Sequence, residues 1–262
     1  NFSMECIEQT FNGTPGSNSK VSCTVSRNGD LIAGMHLEYT NPGTALTHFS
    51  DLVSEVEVEI GGQKIDKHYG SWLDIWYGIS TPADKVKTEL LGVAGDSGAG
   101  TPTTGEVGFV PLQFWFNRNV GLALPLIALQ YHEVKLNITF AAFGTKASDL
   151  SLWVDYIYLD TEERKRFAQM SHEYLIDQVQ YGGAEDFSNT TSIGSVDRFT
   201  LHFNHPVKEL VWVAENSAQI VSGAYTITGG LSPSNVAAGT RQIDINNVKL
   251  QLNGHDRFYP RS

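Results

Sequence analysis

Between Gly108 and Phe140 the chain is dense in strand-forming residues and broken by Pro111, Gly121 and Pro125, with almost no helical punctuation. No other stretch constrains the fold as much. Its last part alternates cleanly, with Val134, Leu136, Ile138 and Phe140 on one side and Glu133, Lys135, Asn137 and Thr139 on the other. Prolines at strand ends and corners, around a period of two, predict an all-β barrel or sandwich. Ser54 to Ile60 repeats the pattern, with Glu55, Glu57 and Glu59 against Val56, Val58 and Ile60. Gly61-Gly62 then turns the chain back into Gln63 to Asp66, giving antiparallel sheet with one acidic, wet face. Val21 to Ser26 and Leu31 to Tyr39, joined by Arg27-Asn28-Gly29-Asp30, read as another hairpin, because Asn-Gly supplies the positive φ of a tight turn.

Short helices interrupt the strands. Trp72, Ile75, Trp76 and Ile79 lie at helical spacing, and Thr81 with Pro82 starts a second helix that Gly92 stops. Asp160 caps a third, with Glu163 in the capping-box position. A Gly/Ser/Thr/Pro loop fills 92–108 and is expected to be exposed. Leu152 to Leu159 is a strand with two apolar faces: Leu152, Val154, Tyr156 and Tyr158 on one, Trp153, Ile157 and Leu159 beside Asp155 on the other. One face suits the barrel core, and the other needs a second barrel, a helix or another subunit.

One more strand is expected at Tyr174 to Val179, then a polar, glycine-containing linker. Four further strands follow, at Phe199–Asn204, Leu210–Ala214, Ala224–Thr228 and Val248–Leu252. A jelly roll needs about eight strands. The expected division is therefore a first jelly roll over 1–185, a linker at 186–195 and the start of a second barrel over 196–262.

The 262 residues suit one large domain or two small ones, and 41% hydrophobic residues supply a substantial core. Only 18% are charged, consistent with surface covered by a partner. The formal net charge of −11 argues against nucleic-acid binding. The basic cluster Arg164-Lys165-Arg166 is offset by Glu162-Glu163 just before it. No apolar run is long enough for a membrane helix. Cys6 and Cys23 are read as two small buried hydrophobes, with a single bridge between them as the alternative.

No catalytic constellation stands out. The Glu55/Glu57/Glu59 row offers carboxylates for Ca²⁺ or for glycoside chemistry, but a row on one wet face more simply keeps a strand soluble. His202 and His205 are three apart in a strand and so point to opposite faces. Nucleophile-elbow, zinc-protease and phosphate-loop motifs are absent. The reading is no enzyme, no metal and no cofactor. Trp72, Trp76, Tyr77, Phe114, Trp115 and Phe116 could stack on sugars, although at such spacings aromatics are commonly core or interface anchors. Four sequons begin at Asn1, Asn12, Asn137 and Asn189, of which Asn189 and Asn12 are the candidate glycosylation positions.

Four segments carry a resemblance: GGQKIDKHYGSWLDIW from Gly61, LWVDYIYLDTEERKRFAQMSHEYLI from Leu152, FNHPVKEL from Phe203 and KLQLNGHDRF from Lys249. In this order, across nearly the whole chain, they resemble the major capsid protein of the large icosahedral nucleocytoplasmic DNA viruses, in the algal-virus and iridovirus branch. The resemblance implies a double jelly roll, here with the first barrel near complete and the second truncated, that forms homotrimeric, pseudo-hexagonal capsomers. The implied partners are copies of itself, neighbouring capsomers and minor capsid proteins, with surface glycans, no direct contact with DNA and no transmembrane segment. The implied location is the virion, after assembly in the host cytoplasm. Trp72, Trp76, Trp153, Ile157 and Leu159 are the candidate packing residues between barrels or subunits. The alternatives are a secreted carbohydrate-binding jelly roll and a β-sandwich hydrolase.

Overall fold

A computed structural model describes residues 2–43, 46, 48–81, 104–185, 198–213 and 249–257. The chain divides into two compact units, Asn1–Val207 and Lys208–Ser262. The strands of the first unit are β1 (Phe2–Gln9), β2 (Lys20–Thr24), β3 (Leu31–Thr40), β4 (Val53–Ile60), β5 (Gln63–Tyr69), β6 (Val107–Pro111), β7 (Leu124–Pro125), β8 (Val134–Phe140) and β9 (Ser148–Leu159). Its helices are α1 (Phe49–Leu52), α2 (Gly70–Ser80), α3 (Trp115–Arg118) and α4 (Thr161–Gln169), with a 3-10 turn at Val120–Leu122.

Two antiparallel sheets face each other. One runs β1-β9-β3-β6, with β7 pairing β3, and the other runs β2-β8-β4-β5. Successive strands largely alternate between the sheets, which is the jelly-roll winding. The inner faces interlock as one core: Val21, Cys23, Val56, Val58, Leu136 and Ile138 from one sheet meet Met35, Leu37, Tyr39, Val110, Leu152, Val154 and Tyr156 from the other. Each such side chain contributes about 1.5–3 kcal/mol on burial.

The alternation at Val134–Phe140 and at Val53–Ile60 is realised as read, with the valines, Leu136, Ile138 and Phe140 inward. The β4–β5 hairpin turns through Gly61 (φ 59°) and Gly62 (φ 83°), as the pair of glycines requires. Pro111 and Pro125 end β6 and β7.

The Asn28-Gly29 hairpin does not form. β2 pairs β8 in one sheet and β3 pairs β9 in the other, so 25–30 is a corner crossing the sandwich. Gly29 takes no positive φ; it lets Tyr156 in, since a Cβ there would lie 2.7 Å from the Tyr156 Cβ. Side chains pin the corner. Ser26 donates from N (2.9 Å) and Oγ (2.8 Å) to Gln9 Oε1, and Tyr156 Oη donates to the Ser26 carbonyl (2.6 Å).

The expected strand at 174–179 forms no ladder. Val179 N donates instead to Asp66 Oδ1 (3.1 Å), and Gln178 Nε2 donates to the Ile65 carbonyl, so side chains tie this segment along β5. Residues 199–204 and 210–213 also lack strand pairing, because alternation in sequence does not supply a partner ladder. In the second unit the described residues form a small hairpin, β10 (Gln251–Leu252) with β11 (His255–Asp256). The helix expected from Thr81, most of the 92–108 loop, the 186–195 linker, the 224–228 strand and Asn189 lie outside the described residues.

Candidate assembly surface

The outer faces of the two sheets differ in chemistry. On the β2-β8-β4-β5 sheet, Glu55, Glu57 and Glu59 lie opposite Thr139, Asn137 and Lys135. Lys67 Nζ bonds Glu55 Oε2 (2.6 Å) and Lys64 Nζ bonds Glu57 Oε2 (2.8 Å). Asn137 Nδ2 reaches both Glu57 and Glu59 (3.4 Å each). The Lys67 hydrogen bond holds the Glu55 carboxyl below its ordinary range. This is a cross-strand ladder of ions and amides, and its carboxylates do not oppose one another across a cleft.

On the β1-β9-β3-β6 sheet, registry places Phe2, Met4, Cys6 and Glu8 of β1 beside Leu159, Ile157, Asp155 and Trp153 of β9. β3 adds His36 next to Trp153, and β6 adds Phe109 and Val107. Phe2 is 70% exposed, Met4 55% and Val107 42%. Trp153 is half-buried, and its indole N–H is buried without a partner among the described residues.

The predicted second apolar face of β9 is real, and the chain covers part of it itself. Ile157 is buried in a satellite cluster with Leu31 and Ala123, against which Ala33, Leu159 and Phe167 of α4 pack. Asp160 caps α4 through Oδ1 to Thr161 N (2.6 Å). Arg164 ties α4 down by donating from Nη2 to buried Asp30 (2.9 Å), which also accepts from Leu159 N (2.8 Å). One cation of the basic cluster therefore has a structural partner.

α2 turns Leu73 and Asp74 inward, and Asp74 caps α1 by accepting from Phe49 N (2.9 Å) and Ser50 N (3.0 Å). That leaves Trp72 and Trp76 half-buried as a tilted pair with centroids 5.5 Å apart, Arg118 lying 5.0 Å above Trp76, and Ile79 56% exposed. Phe114, Trp115 and Phe116 are all buried and offer no sugar-stacking surface. Asn12 is exposed, whereas Asn137 sits within the ion ladder.

Sequence reasoning missed two groupings. On the inner side of β5, Asp66 and His68 are buried, and neither His68 ring nitrogen has a partner among the described residues. Burial pushes Asp66 up to about 6 and, helped by Arg118, drives His68 down to about 3. The alternation of Asp66 and His68 on the inward side of β5 was the available signal. The second grouping is Cys6, His36 and Asp155, whose donor atoms lie within 4.8 Å of one another. Cys6 is exposed, contrary to the buried-hydrophobe reading, because the outer face of β1 carries it; Cys23 is buried, and both are free thiols. No spacing in the sequence links positions 6, 36 and 155.

Residues 1–160 match the family model described as the major capsid protein N-terminus, and 163–262 match that of the large eukaryotic DNA virus major capsid protein. The major capsid protein of Pyramimonas orientalis virus is 47% identical over all of this chain and 64% of its own length. That of Paramecium bursaria Chlorella virus 1 is 39% identical over all of this chain and 67% of its own. The chain thus spans about two thirds of these relatives. A quasi-atomic model of the PBCV-1 virus capsid superposes with a TM-score of 0.81 at 37% identity, covering all of this chain and 71% of that one.

Proposed function

The chain belongs to the major capsid protein family of large eukaryotic DNA viruses, and from that premise we propose that it builds the virus shell as a homotrimeric capsomer of pseudo-hexagonal outline. The observation that carries this reading is the open apolar outer face of the β1-β9-β3-β6 sheet, where Phe2, Met4, Val107 and Trp153 meet solvent beside a well-packed core. A cluster of exposed apolar side chains on one sheet face is relieved by association. Closed rings of identical copies cover such a face without leaving an open edge. The role is structural, resting on surface complementarity, and the relatives are capsid proteins. Neighbouring capsomers and minor capsid proteins are the proposed partners, and the proposed site is the virion after assembly in the host cytoplasm. Net charge of −11 and the engagement of Arg164 by Asp30 favour a shell position away from the genome.

Full-length protein analysed by size-exclusion with light scattering tests this. Wild type should run as a trimer, and Trp153→Asp should shift it to smaller species, whereas Glu59→Gln on the wet face should leave the trimer intact. A trimer equally stable in Trp153→Asp removes this face from the interface. A monomeric wild type defeats the homotrimer itself.

A further inference from the structure

We propose that Cys6, His36 and Asp155 form a three-ligand site for a transition-metal dication, with Zn²⁺ the best match to a thiolate, an imidazole and a carboxylate. Three neighbouring strands supply the donors. Cys6 of β1 and Asp155 of β9 stand directly opposite each other, where Cβ atoms are about 4.5–5.5 Å apart. His36 of β3 pairs with Trp153, so it approaches Asp155 on the diagonal, a distance that a long side chain spans. The three ligand atoms already lie within 4.8 Å of one another. Zinc bond lengths require donor separations of roughly 3.5 Å, which small side-chain rotations on a fixed sheet can reach.

Two features suit an ion. The residue of β3 facing Asp155 is Gly34, beside the irregularity that shifts β3 against β9. A Cβ at Gly34 would sit 2.9 Å from Asp155 Oδ2, so its absence leaves the space beside the carboxylate open. His36 is steadied by an edge contact with Phe109 (centroids 5.8 Å, interplanar 65°), which leaves its ring nitrogens for another partner.

The local field is also negative. Cys6 hydrogen-bonds Asp155, and the Asp155 and Glu38 carboxylates place negative charge around the thiol. With no cation the thiol donates to Asp155. A dication reverses that balance: the S–H bond breaks, the S–metal bond forms, and one proton goes to solvent. Three protein ligands leave a fourth position for water or for a donor from another chain.

The test uses full-length protein stripped with a chelator and titrated with Co²⁺. The expected result is a near-ultraviolet thiolate-to-cobalt charge-transfer band that saturates at one Co²⁺ per chain and is abolished by added Zn²⁺. Cys6→Ser should remove the band, and His36→Ala and Asp155→Asn should each weaken binding by about tenfold or more. Cys23→Ser should leave the band unchanged, and Zn²⁺ should raise the Tm of wild type but not of Cys6→Ser. Absence of the band in folded wild type, or its loss in Cys23→Ser with retention in Cys6→Ser, overturns the site. The charge-transfer band reads ligation by Cys6 itself, so its outcome is distinguishable from that of the size-exclusion test.

Discussion

The two sheets share one core and differ in what they show outward. β2-β8-β4-β5 presents Glu55, Glu57, Glu59, Lys64, Lys67 and Asn137 in a paired ladder, while β1-β9-β3-β6 presents Phe2, Met4, Trp153, Phe109 and Val107 around a polar centre of Cys6, Glu8, His36 and Asp155. The inner alternation makes a sandwich, and the outer alternation decides which side faces water and which side faces a partner. If so, inner-face truncations should cost alike in both sheets, whereas outer-face changes should not. Leu136→Ala and Leu152→Ala, both at 0% exposure, should each lower unfolding free energy by about 2–5 kcal/mol in denaturant titrations. A cost in one sheet several-fold above the other would mean that the core is not shared.

The inner faces differ in their titratable groups, with Asp66 and His68 buried on β5. Asp66 is raised in the fold, so its contribution favours acid and is lost as pH climbs from about 4 to about 6. His68 is lowered, so its contribution is present above its ordinary value near 6.5 and is lost as pH falls toward about 3. Between about pH 4 and 6 the two slopes oppose, each close to 1.4 kcal/mol per pH unit. Asp66→Asn should therefore gain stability with rising pH across that window relative to wild type, and His68→Phe should lose it. Matching pH profiles of stability for the two variants would show that the buried pair does not set this balance.

Much of this was legible in the sequence, for a physical reason. Period-two patterns in β4, β8 and β9 report which side of a strand is buried, because the pleat forces alternation. Gly61-Gly62 reported a turn because backbone φ is a local property. Asn28-Gly29 misled because whether two strands pair or cross the sandwich depends on Tyr156 and Gln9, more than a hundred residues and about twenty residues away in sequence. The strand expected at 174–179 failed likewise, since a ladder needs a neighbour that pattern alone cannot name. Trp153 could be placed on the second face of β9, but not that α4 would take Ile157 and Leu159 and leave Trp153 open. Cys6, His36 and Asp155 meet only through the register of three strands.

On the outer faces, Trp153→Asp should weaken trimer association by about 2 kcal/mol or more per site, the scale of a buried aromatic anchor, while leaving monomer unfolding little changed. Concentration-dependent light scattering reads the first and thermal unfolding the second. A large stability loss with intact association would make Trp153 an internal packing residue.

The smallest effect belongs to the wet face. Lys67 pairs with Glu55 at 2.6 Å, with side chains 37% and 32% exposed, and its ammonium lies 5.1 Å from the Tyr69 ring centroid. Half-exposed pairs gain little, because water already solvates both charges and holding two long side chains has an entropic cost. A double-mutant cycle of Lys67→Ala and Glu55→Ala should give a coupling of about 0.2–1 kcal/mol at low salt. It should shrink in roughly 1 M salt, where the screening length is about 3 Å. Trimer association should stay at the wild-type level in all three variants, since this ladder faces solvent. Weakened association in Glu55→Ala would erase the contrast between the two outer faces and make both of them assembly surfaces.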